Sequence, residues 1–187
     1  HKDVVKLLLD HSVSKNIDLN VKDSYGRPAL MCAWSNGHTD VVELLLDQSD
    51  IKNINLNKRC NYKYGKTLFM DACYDGRKKI VKFLLDHLEN IDLNARDDYG
   101  KTALMYVYEK GHQDVIKLLL DHSGSKSIDW NAKDNFGSTP FIDACYHGQK
   151  EIVKLLLNNS EKANIDLNAR DDFGKTALMY AYERGHQ

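Results

Sequence analysis

The sequence predicts an all-α protein in which helix–turn–helix units repeat as a solenoid, and three observations support this prediction. Residues 90–113 and 164–187 lie 74 residues apart and are identical at 21 of 24 positions. Glycines recur in pairs whose members are always 11 residues apart. An apolar segment with helical spacing occurs five times along the chain. The glycine pairs recur every 35–39 residues, and self-similarity at a spacing of roughly 20–50 residues is typical of repeat proteins.

Composition limits the classes of function that the chain can have. Of 187 residues, 42% are hydrophobic and 28% are charged, and the net charge is −1. This charge gives no general attraction to nucleic acid or to an anionic membrane. No apolar run approaches the ~18–20 residues that span a bilayer, and no signal segment opens the chain.

The cysteines indicate the redox setting. No two of them form a CxxC pair, so we expect reduced thiols in an intracellular, cytoplasmic protein rather than a disulfide framework. The four are Cys32, Cys60, Cys73 and Cys145.

The paired glycines divide the chain into units with steps of 39, 35, 37 and 37 residues. Glycine tolerates positive φ, so each of these residues is predicted to form a tight turn. The first series is Gly26, Gly65, Gly100, Gly137 and Gly174. The second series is Gly37, Gly76, Gly111, Gly148 and Gly185.

A short apolar helix, the first helix of each unit, is predicted between the two glycines of a pair. Examples are residues 28–36, 67–75, 102–110 and 139–147. Threonine hydroxyls are expected to cap these helices at Thr67, Thr102, Thr139 and Thr176. The corresponding residue in the earlier unit is Pro28, which cannot cap.

A second helix is predicted in each unit, with apolar residues on one wide face. Its copies are residues 3–11, 40–48, 79–87, 114–122 and 151–159. A polar loop follows, then an Ile-(Asp/Asn)-x-Asn segment and a turn of the type Asp-x-(Tyr/Phe)-Gly. The copy of this turn at residues 62–65 departs from the pattern, because Tyr62 replaces the Asp.

These motifs together resemble ankyrin repeats over the whole chain. The resemblance implies one domain at residues 1–187, divided into a half unit, four full units and a second half unit. The units are 1–22, 23–60, 61–96, 97–133, 134–170 and 171–187. The units run 35–39 residues, above the ~33 of the ankyrin pattern.

A second departure concerns the His that usually follows Thr-Pro-Leu in the family. It is replaced by Met31, Met70, Met105, Ile142 and Met179. The hydrogen bonds that this His normally makes must therefore be absent or rebuilt.

The first helices alternate over two units. Their middle position is Trp34, Cys73, Tyr108, Cys145 and Tyr182 in turn. This pattern predicts that a bulky ring of one unit packs beside a small residue of the next. Tyr74 and Tyr146, near the ends of their helices, are instead predicted to lie at the surface.

Two patterns that suggest catalysis do not meet its requirements. Gly-Lys-Thr at 65–67, 100–102 and 174–176 lacks the glycine that a P-loop needs five residues earlier, so the Lys is expected to be a solvated turn residue. Asp143, Cys145 and His147 are two residues apart on a helix and do not face each other. We expect no enzymatic activity and no catalytic residues.

No cofactor or metal is expected either. His38, His112 and His186 recur on different units. Stacked helices lie ~8–10 Å apart, too far for these histidines to share a metal ion at ~2 Å.

Five asparagines match the position that asparaginyl hydroxylases modify in ankyrin repeats, so the resemblance implies candidate modification sites. The alternative is that each Asn tethers its own turn through side-chain hydrogen bonds. They are Asn20, Asn57, Asn94, Asn131 and Asn168.

The resemblance also implies that a partner protein binds the concave surface formed by the turn tips and first helices. Carried over by position, the tip residues are Tyr25, Tyr64, Tyr99, Phe136 and Phe173. Beside them lie Arg27, Lys66, Lys101, Ser138 and Lys175. At the helix ends lie Tyr74, Asp75, Glu109, Lys110, Tyr146, His147, Glu183 and Arg184. The alternative for the tip rings is that each packs on the neighbouring tip.

The expected function is a protein–protein interaction module or scaffold that binds neither nucleic acid nor membrane. One alternative is the targeting or substrate-recognition array of a larger enzyme or host-directed effector. Another is head-to-tail self-association, in which the half unit at 1–22 completes the one at 171–187.

Overall fold

The computed structural model describes residues 2–46, 56–57, 59, 64–87, 91–123 and 127–185. In this part of the chain the regular secondary structure consists of α-helices alone, which agrees with the predicted all-α solenoid. The first helices are α2 (Ala29–Ser35), α4 (Leu68–Tyr74), α6 (Ala103–Lys110), α8 (Pro140–Tyr146) and α10 (Ala177–Glu183). The second helices are α1 (Lys2–Asp10), α3 (Thr39–Leu46), α5 (Lys78–His87), α7 (Gln113–His122) and α9 (Lys150–Asn159).

The helices form two layers. In one layer α4 packs on α6, α6 on α8 and α8 on α10, while in the other α1 packs on α3, α5 on α7 and α7 on α9. Within a unit, each first helix also packs on the second helix that follows it. The apolar faces meet in one continuous core, as expected of an array in which each unit contacts its neighbours.

The glycine turns are confirmed. All ten glycines of the two series have φ between 63° and 78°, a region that is costly for other residues. At Gly137 a second constraint applies, because a Cβ there would lie 2.7 Å from the backbone nitrogen of Asp172 in the next unit. Consecutive turn tips therefore approach each other so closely that only a glycine fits at this position.

Three of the four predicted threonine caps form. The hydroxyl oxygens of Thr67, Thr139 and Thr176 accept hydrogen bonds of 3.2, 3.3 and 3.4 Å from backbone N–H groups. The prediction is wrong at Thr102, whose hydroxyl oxygen is buried and without a partner. The three caps that form are already long for hydrogen bonds, so a small shift is enough to lose the fourth.

The methionine that replaces the family's usual His supplies a hydrogen-bond acceptor in one unit. The backbone N–H of Thr67 donates to Met70 Sδ at 3.4 Å. The network of the missing His is thus partly rebuilt at the start of α4.

The predicted alternation of bulky and small residues is seen inside the core. Trp34, Cys73, Tyr108 and Cys145 are all buried, whereas Tyr182 on α10 is exposed. Trp34 Nε1 also donates to Asp71 Oδ2 of the next unit at 3.2 Å. Cys32, Cys73 and Cys145 are free thiols, and Cys60 and Tyr62 lie outside the described residues.

Candidate interaction face

The Asp-x-(Tyr/Phe)-Gly motif builds each turn tip through one carboxylate oxygen. Asp97 Oδ1 accepts from the backbone N–H of Tyr99 at 2.9 Å and of Lys101 at 2.8 Å. Asp23, Asp134 and Asp171 accept in the same way from the residues two and four positions later. An Asp side chain that satisfies its own turn fixes the tip, so the aromatic residue of the motif projects in the same way in each of these units.

The projecting aromatic residues form a row, which we call the tip row. Its members are Tyr25, Tyr64, Tyr99, Phe136 and Phe173, and they are 45–73% exposed. Backbone hydrogen bonds join consecutive tips, as when Asp98 N donates to Tyr64 O at 2.9 Å. The rings of Tyr64 and Tyr99 lie 5.4 Å apart, so these neighbouring tips pack on each other, as one of the two alternatives predicted. Each ring is still exposed to solvent, as the other alternative, contact with a partner, requires.

Cationic side chains beside the tip row are held by ion pairs within their own units. Lys101 Nζ lies 2.9 Å from Glu109 Oε2, and Lys175 Nζ lies 2.7 Å from Glu183 Oε2. Glu109 also pairs with Lys110 at 3.1 Å. The expectation of solvated turn lysines is therefore wrong, because these side chains fold back along the first helix and become half-buried.

Arg27 is held differently from the lysines. It binds Asp23 of its own turn at 2.7 Å, and its guanidinium lies 4.9 Å from the ring centroid of Tyr25.

Two tyrosine pairs join consecutive first helices. The first aromatic pair is Tyr74 and Tyr106, whose ring centroids lie 5.5 Å apart at 74°. The second aromatic pair is Tyr146 and Tyr180, 5.4 Å apart at 76°. The prediction that Tyr74 and Tyr146 lie at the surface is only partly right, because both are half-buried by the edge-to-face packing of their rings on the next unit.

The second tyrosine of each pair, Tyr106 or Tyr180, which we call the inner tyrosine, is hydrogen-bonded to the Asp of its own turn. Tyr106 Oη donates to Asp97 Oδ2, and Tyr180 Oη donates to Asp171 Oδ2 at 2.5 Å. The bond to Asp171, together with burial, raises the pKa of Tyr180 to about 12. Each of these aspartates thus fixes the tip with one oxygen and the first helix with the other.

Lys66 lies within the first aromatic pair. Its ammonium is 3.9 Å from the ring centroid of Tyr74 and 3.8 Å from that of Tyr106, and the residue is only 9% exposed. Burial lowers the pKa of Lys66. The position eight residues later holds Tyr74, whereas Lys101 and Lys175 find a glutamate there, so contacts with aromatic rings replace an ion pair.

Asp143 lies near the second aromatic pair, and only one of its two carboxylate oxygens is hydrogen-bonded. Ser138 Oγ donates to Asp143 Oδ1 at 2.8 Å, but Asp143 Oδ2 is buried without a hydrogen-bond partner. Burial raises the pKa of Asp143 to about 6.

The neighbours of Asp143 on α8 do not form a nucleophilic site in the part of the chain that the structure describes. Cys145 is buried, and burial raises the pKa of its thiol to about 11. His147 is exposed and packs against the ring of Tyr146 at 5.0 Å. No described hydrogen bond connects this His to Cys145.

The described residues contain no group of three or more His, Cys, Asp or Glu side chains placed to hold a metal ion. Among the predicted histidines, His112 Nε2 makes a 2.9 Å hydrogen bond with the backbone oxygen of Tyr74, and His186 lies outside the described residues. None of the described helices is long and apolar enough to cross a membrane.

The regularly spaced asparagines have a structural role between units. Asn94 Oδ1 accepts from Asp129 N at 2.8 Å, and its Nδ2 donates to Ser127 O at 2.8 Å. Asn131 makes the equivalent pair of bonds with Asp166 and Asn164, and Asn57 Oδ1 accepts from the backbone N–H of Asp92. The interpretation that each Asn tethers its own turn is wrong at these positions, because the amide reaches the next unit.

The remaining predicted partner-binding residues lie at the ends of first helices. Asp75 and Lys110 are exposed there, and Lys110 Nζ lies 4.5 Å from the ring centroid of Tyr74. The structure therefore brings the tip row, the paired cations and the two aromatic pairs onto one face. Sequence reasoning did not detect the link from Asp97 to Tyr106 and from Asp171 to Tyr180, although both pairs show the same spacing of nine residues.

Comparison with known proteins identifies a family of repeats. A family model described as "Ankyrin repeats (3 copies)" matches residues 1–59, 51–134 and 125–187. No curated protein matches the chain.

Proposed function

Because the chain belongs to the ankyrin-repeat family, whose members are in general protein–protein interaction modules, we propose that a partner protein binds the face formed by the tip row and the first helices. Domains of this family are typically non-catalytic. The observation that carries the proposal is the row of exposed aromatic rings on otherwise rigid turns.

Rigid aromatic residues suit a binding face because they bury large areas at little cost in conformational entropy. At Tyr99 and Phe136 the backbone is fixed both by the Asp of the turn and by a hydrogen bond from the next tip, and at Tyr64 by the bond from the next tip. The backbone of these tips therefore loses little freedom when a partner covers the rings. The adjacent ion pairs supply charges in fixed positions, which favours specificity of register.

We assign the partner contacts to residues of the tips and of the first helices that line this face. At the tips they are Tyr25, Arg27, Tyr64, Tyr99, Phe136 and Phe173. On and beside the first helices they are Lys66, Tyr74, Asp75, Lys101, Glu109, Lys110, Tyr146, His147 and Lys175.

The first test is the double substitution Tyr64→Ala and Tyr99→Ala, measured with a partner captured on the immobilised chain and identified by mass spectrometry. Loss of two neighbouring, exposed rings near the centre of the tip row is expected to weaken binding at least tenfold. The fold is expected to persist, because both rings project from turns rather than from the core.

Leu157→Ala is the matched control. Leu157 is an exposed apolar residue on α9, in the layer of second helices. A partner that is bound equally well by the double variant, or that is lost only on Leu157→Ala, would show that the tip face is the wrong surface.

A further inference from the structure

The two aromatic pairs have similar surroundings. Lys110 lies 4.5 Å from the ring centroid of Tyr74, and Arg184 lies 4.1 Å from that of Tyr146. On the inner rings, Lys101 lies 5.7 Å from Tyr106 and Lys175 lies 5.0 Å from Tyr180. The second pair thus repeats the geometry of the first, two units later.

The carboxylates also correspond. Asp97, Glu109 and Asp71 act electrostatically on Tyr106 and help to raise its pKa. Asp171, Glu183 and Asp143 do the same for Tyr180. Each inner tyrosine therefore has one carboxylate from its own turn, one from the end of its own helix and one from the preceding unit.

The pairs differ in the number of cations beside them. The first pair contains the ammonium of Lys66, whereas the residue at this position beside the second pair is Ser138. Around the first pair, the three cations Lys66, Lys101 and Lys110 balance three carboxylates. Around the second, the two cations Lys175 and Arg184 face three carboxylates, which leaves a formal charge of −1. Lys101 also acts on Asp143, but its ammonium is paired with Glu109.

Asp143 also differs from its counterpart in its hydrogen bonds, because a different residue stands opposite it in the preceding unit. Its counterpart Asp71 accepts from Trp34 Nε1 through Oδ2, but Asp143 Oδ2 is buried and has no hydrogen-bond partner. Tyr108, which replaces Trp34 in the preceding unit, also has a buried hydroxyl without a partner. A buried carboxylate oxygen of this kind is costly unless a donor reaches it.

From these four observations we infer that Tyr146, Tyr180 and Asp143 form a binding site for the ammonium group of a lysine side chain on the partner protein. The ammonium takes the place that Lys66 has at the first pair, with aromatic faces on two sides and the carboxylate of Asp143 as its counter-ion. This site rests on the proposed function, since it lies on the same face as the tip row and names the chemistry of one partner residue.

Titration of the full chain with butylammonium tests the site without any partner. Butylammonium reproduces the end of a lysine side chain, and 1-butanol is its uncharged control. We expect saturable NMR shifts of the Tyr146 and Tyr180 ring resonances with butylammonium and none that saturate with 1-butanol. Absence of a saturable shift at these two rings would overturn the inference.

The decisive variant is Ser138→Lys, which gives the chain its own ammonium at this position. It is expected to weaken butylammonium binding at least tenfold, because the new lysine fills the site. Asp143→Asn removes the counter-ion and is also expected to weaken binding. Equal shifts in the wild type and in Ser138→Lys would show that the ammonium binds elsewhere.

The reverse substitution, Lys66→Ser, checks the correspondence between the pairs. It is expected to create a second butylammonium site, reported by the rings of Tyr74 and Tyr106. If these rings do not respond, Lys66 is not a model of the bound ligand and the inference fails.

The butylammonium experiments can fail independently of the test of the binding face. Should the Tyr64→Ala and Tyr99→Ala variant lose the partner while butylammonium fails to bind, the face is right and the lysine site is wrong. Should butylammonium bind while the tip-row variant keeps its partner, the site exists but the partner uses another surface.

Discussion

At the scale of single residues, equivalent positions acquire different chemistry from their neighbours. Lys66 and Lys101 occupy the same place in successive turns, yet one contacts two aromatic rings and the other pairs with a glutamate. The difference follows from the residue eight positions later, Tyr74 or Glu109. The position of a residue in the repeat therefore predicts where its Cα lies. The residues that its side chain contacts determine its electrostatic environment.

Asp143 gives a prediction about pH. Burial raises its pKa from 3.8 to about 6, with Asp134 and Glu109 acting in the same direction and Lys101 and the Ser138 hydroxyl in the opposite one. Because the folded state then binds the proton more tightly than the unfolded state, the contribution of this carboxyl group to stability is fully present below about pH 4 and is lost as the pH rises through about 6.

Asp143→Asn removes this titration. It is expected to stabilise the protein at pH 7 by up to about 3 kcal/mol, at 1.36 kcal/mol per pKa unit, and to have little effect at pH 4. Urea unfolding of both proteins at the two pH values measures this difference. A variant less stable than the wild type at pH 7 would show that the charged form of Asp143 is favoured by the fold.

The tyrosine hydroxyls allow a matched comparison. Tyr106 Oη donates to the buried carboxylate of Asp97, whereas Tyr108 Oη is buried without a partner. Tyr106→Phe is expected to lower the free energy of unfolding by about 1.5–3 kcal/mol, and Tyr108→Phe to be neutral or stabilising. Denaturant unfolding measures both, and similar losses in the two variants would contradict the assignment.

At the scale of elements, the turns are the best-defined parts of the unit because three independent constraints coincide there. A carboxylate satisfies two backbone N–H groups, a glycine takes positive φ, and the backbone of the next tip donates a hydrogen bond. Helix starts are less well defined, as the long caps at Thr139 and Thr176 and the missing cap at Thr102 show.

Two glycine substitutions distinguish the free energy lost to a positive φ from that lost to a steric clash of the new Cβ atom. Gly137 has φ 75° and a Cβ there would lie 2.7 Å from Asp172 N, whereas Gly174 has φ 73° and nothing within 4 Å. Gly174→Ala is expected to cost about 1 kcal/mol from φ alone, and Gly137→Ala at least 1 kcal/mol more. The midpoint of urea unfolding reports this order, and equal costs would mean that the tips can move apart.

At the scale of the whole molecule, the features that recur within each unit could be predicted from the sequence, whereas most side-chain contacts between units could not. The glycine periods, the apolar helical faces and the Asp-x-(Tyr/Phe)-Gly motif each follow from the backbone of a single unit, so they could be recognised directly. The alternation of Trp34, Cys73, Tyr108 and Cys145 could also be recognised, because core volume must be conserved between neighbours.

The candidate site was harder to predict because its contacts join side chains from different units. The asparagine bonds from Asn94 to Asp129 and the ring contact between Tyr74 and Tyr106 span 35 and 32 residues. Such contacts depend on the distance and rotation between stacked units, which no periodicity within one unit contains. For the same reason Lys66 looked like a solvated turn residue.

The correspondence of the two aromatic pairs has a consequence for multivalent binding. A single change, Lys66→Ser, gives the array two equivalent ammonium sites, and Ser138→Lys leaves it with none, without any change to the backbone. A partner segment that carries two lysines at the matching separation would then gain from the effective concentration of the second contact. The valency of the array is thus set by one side chain in every second turn.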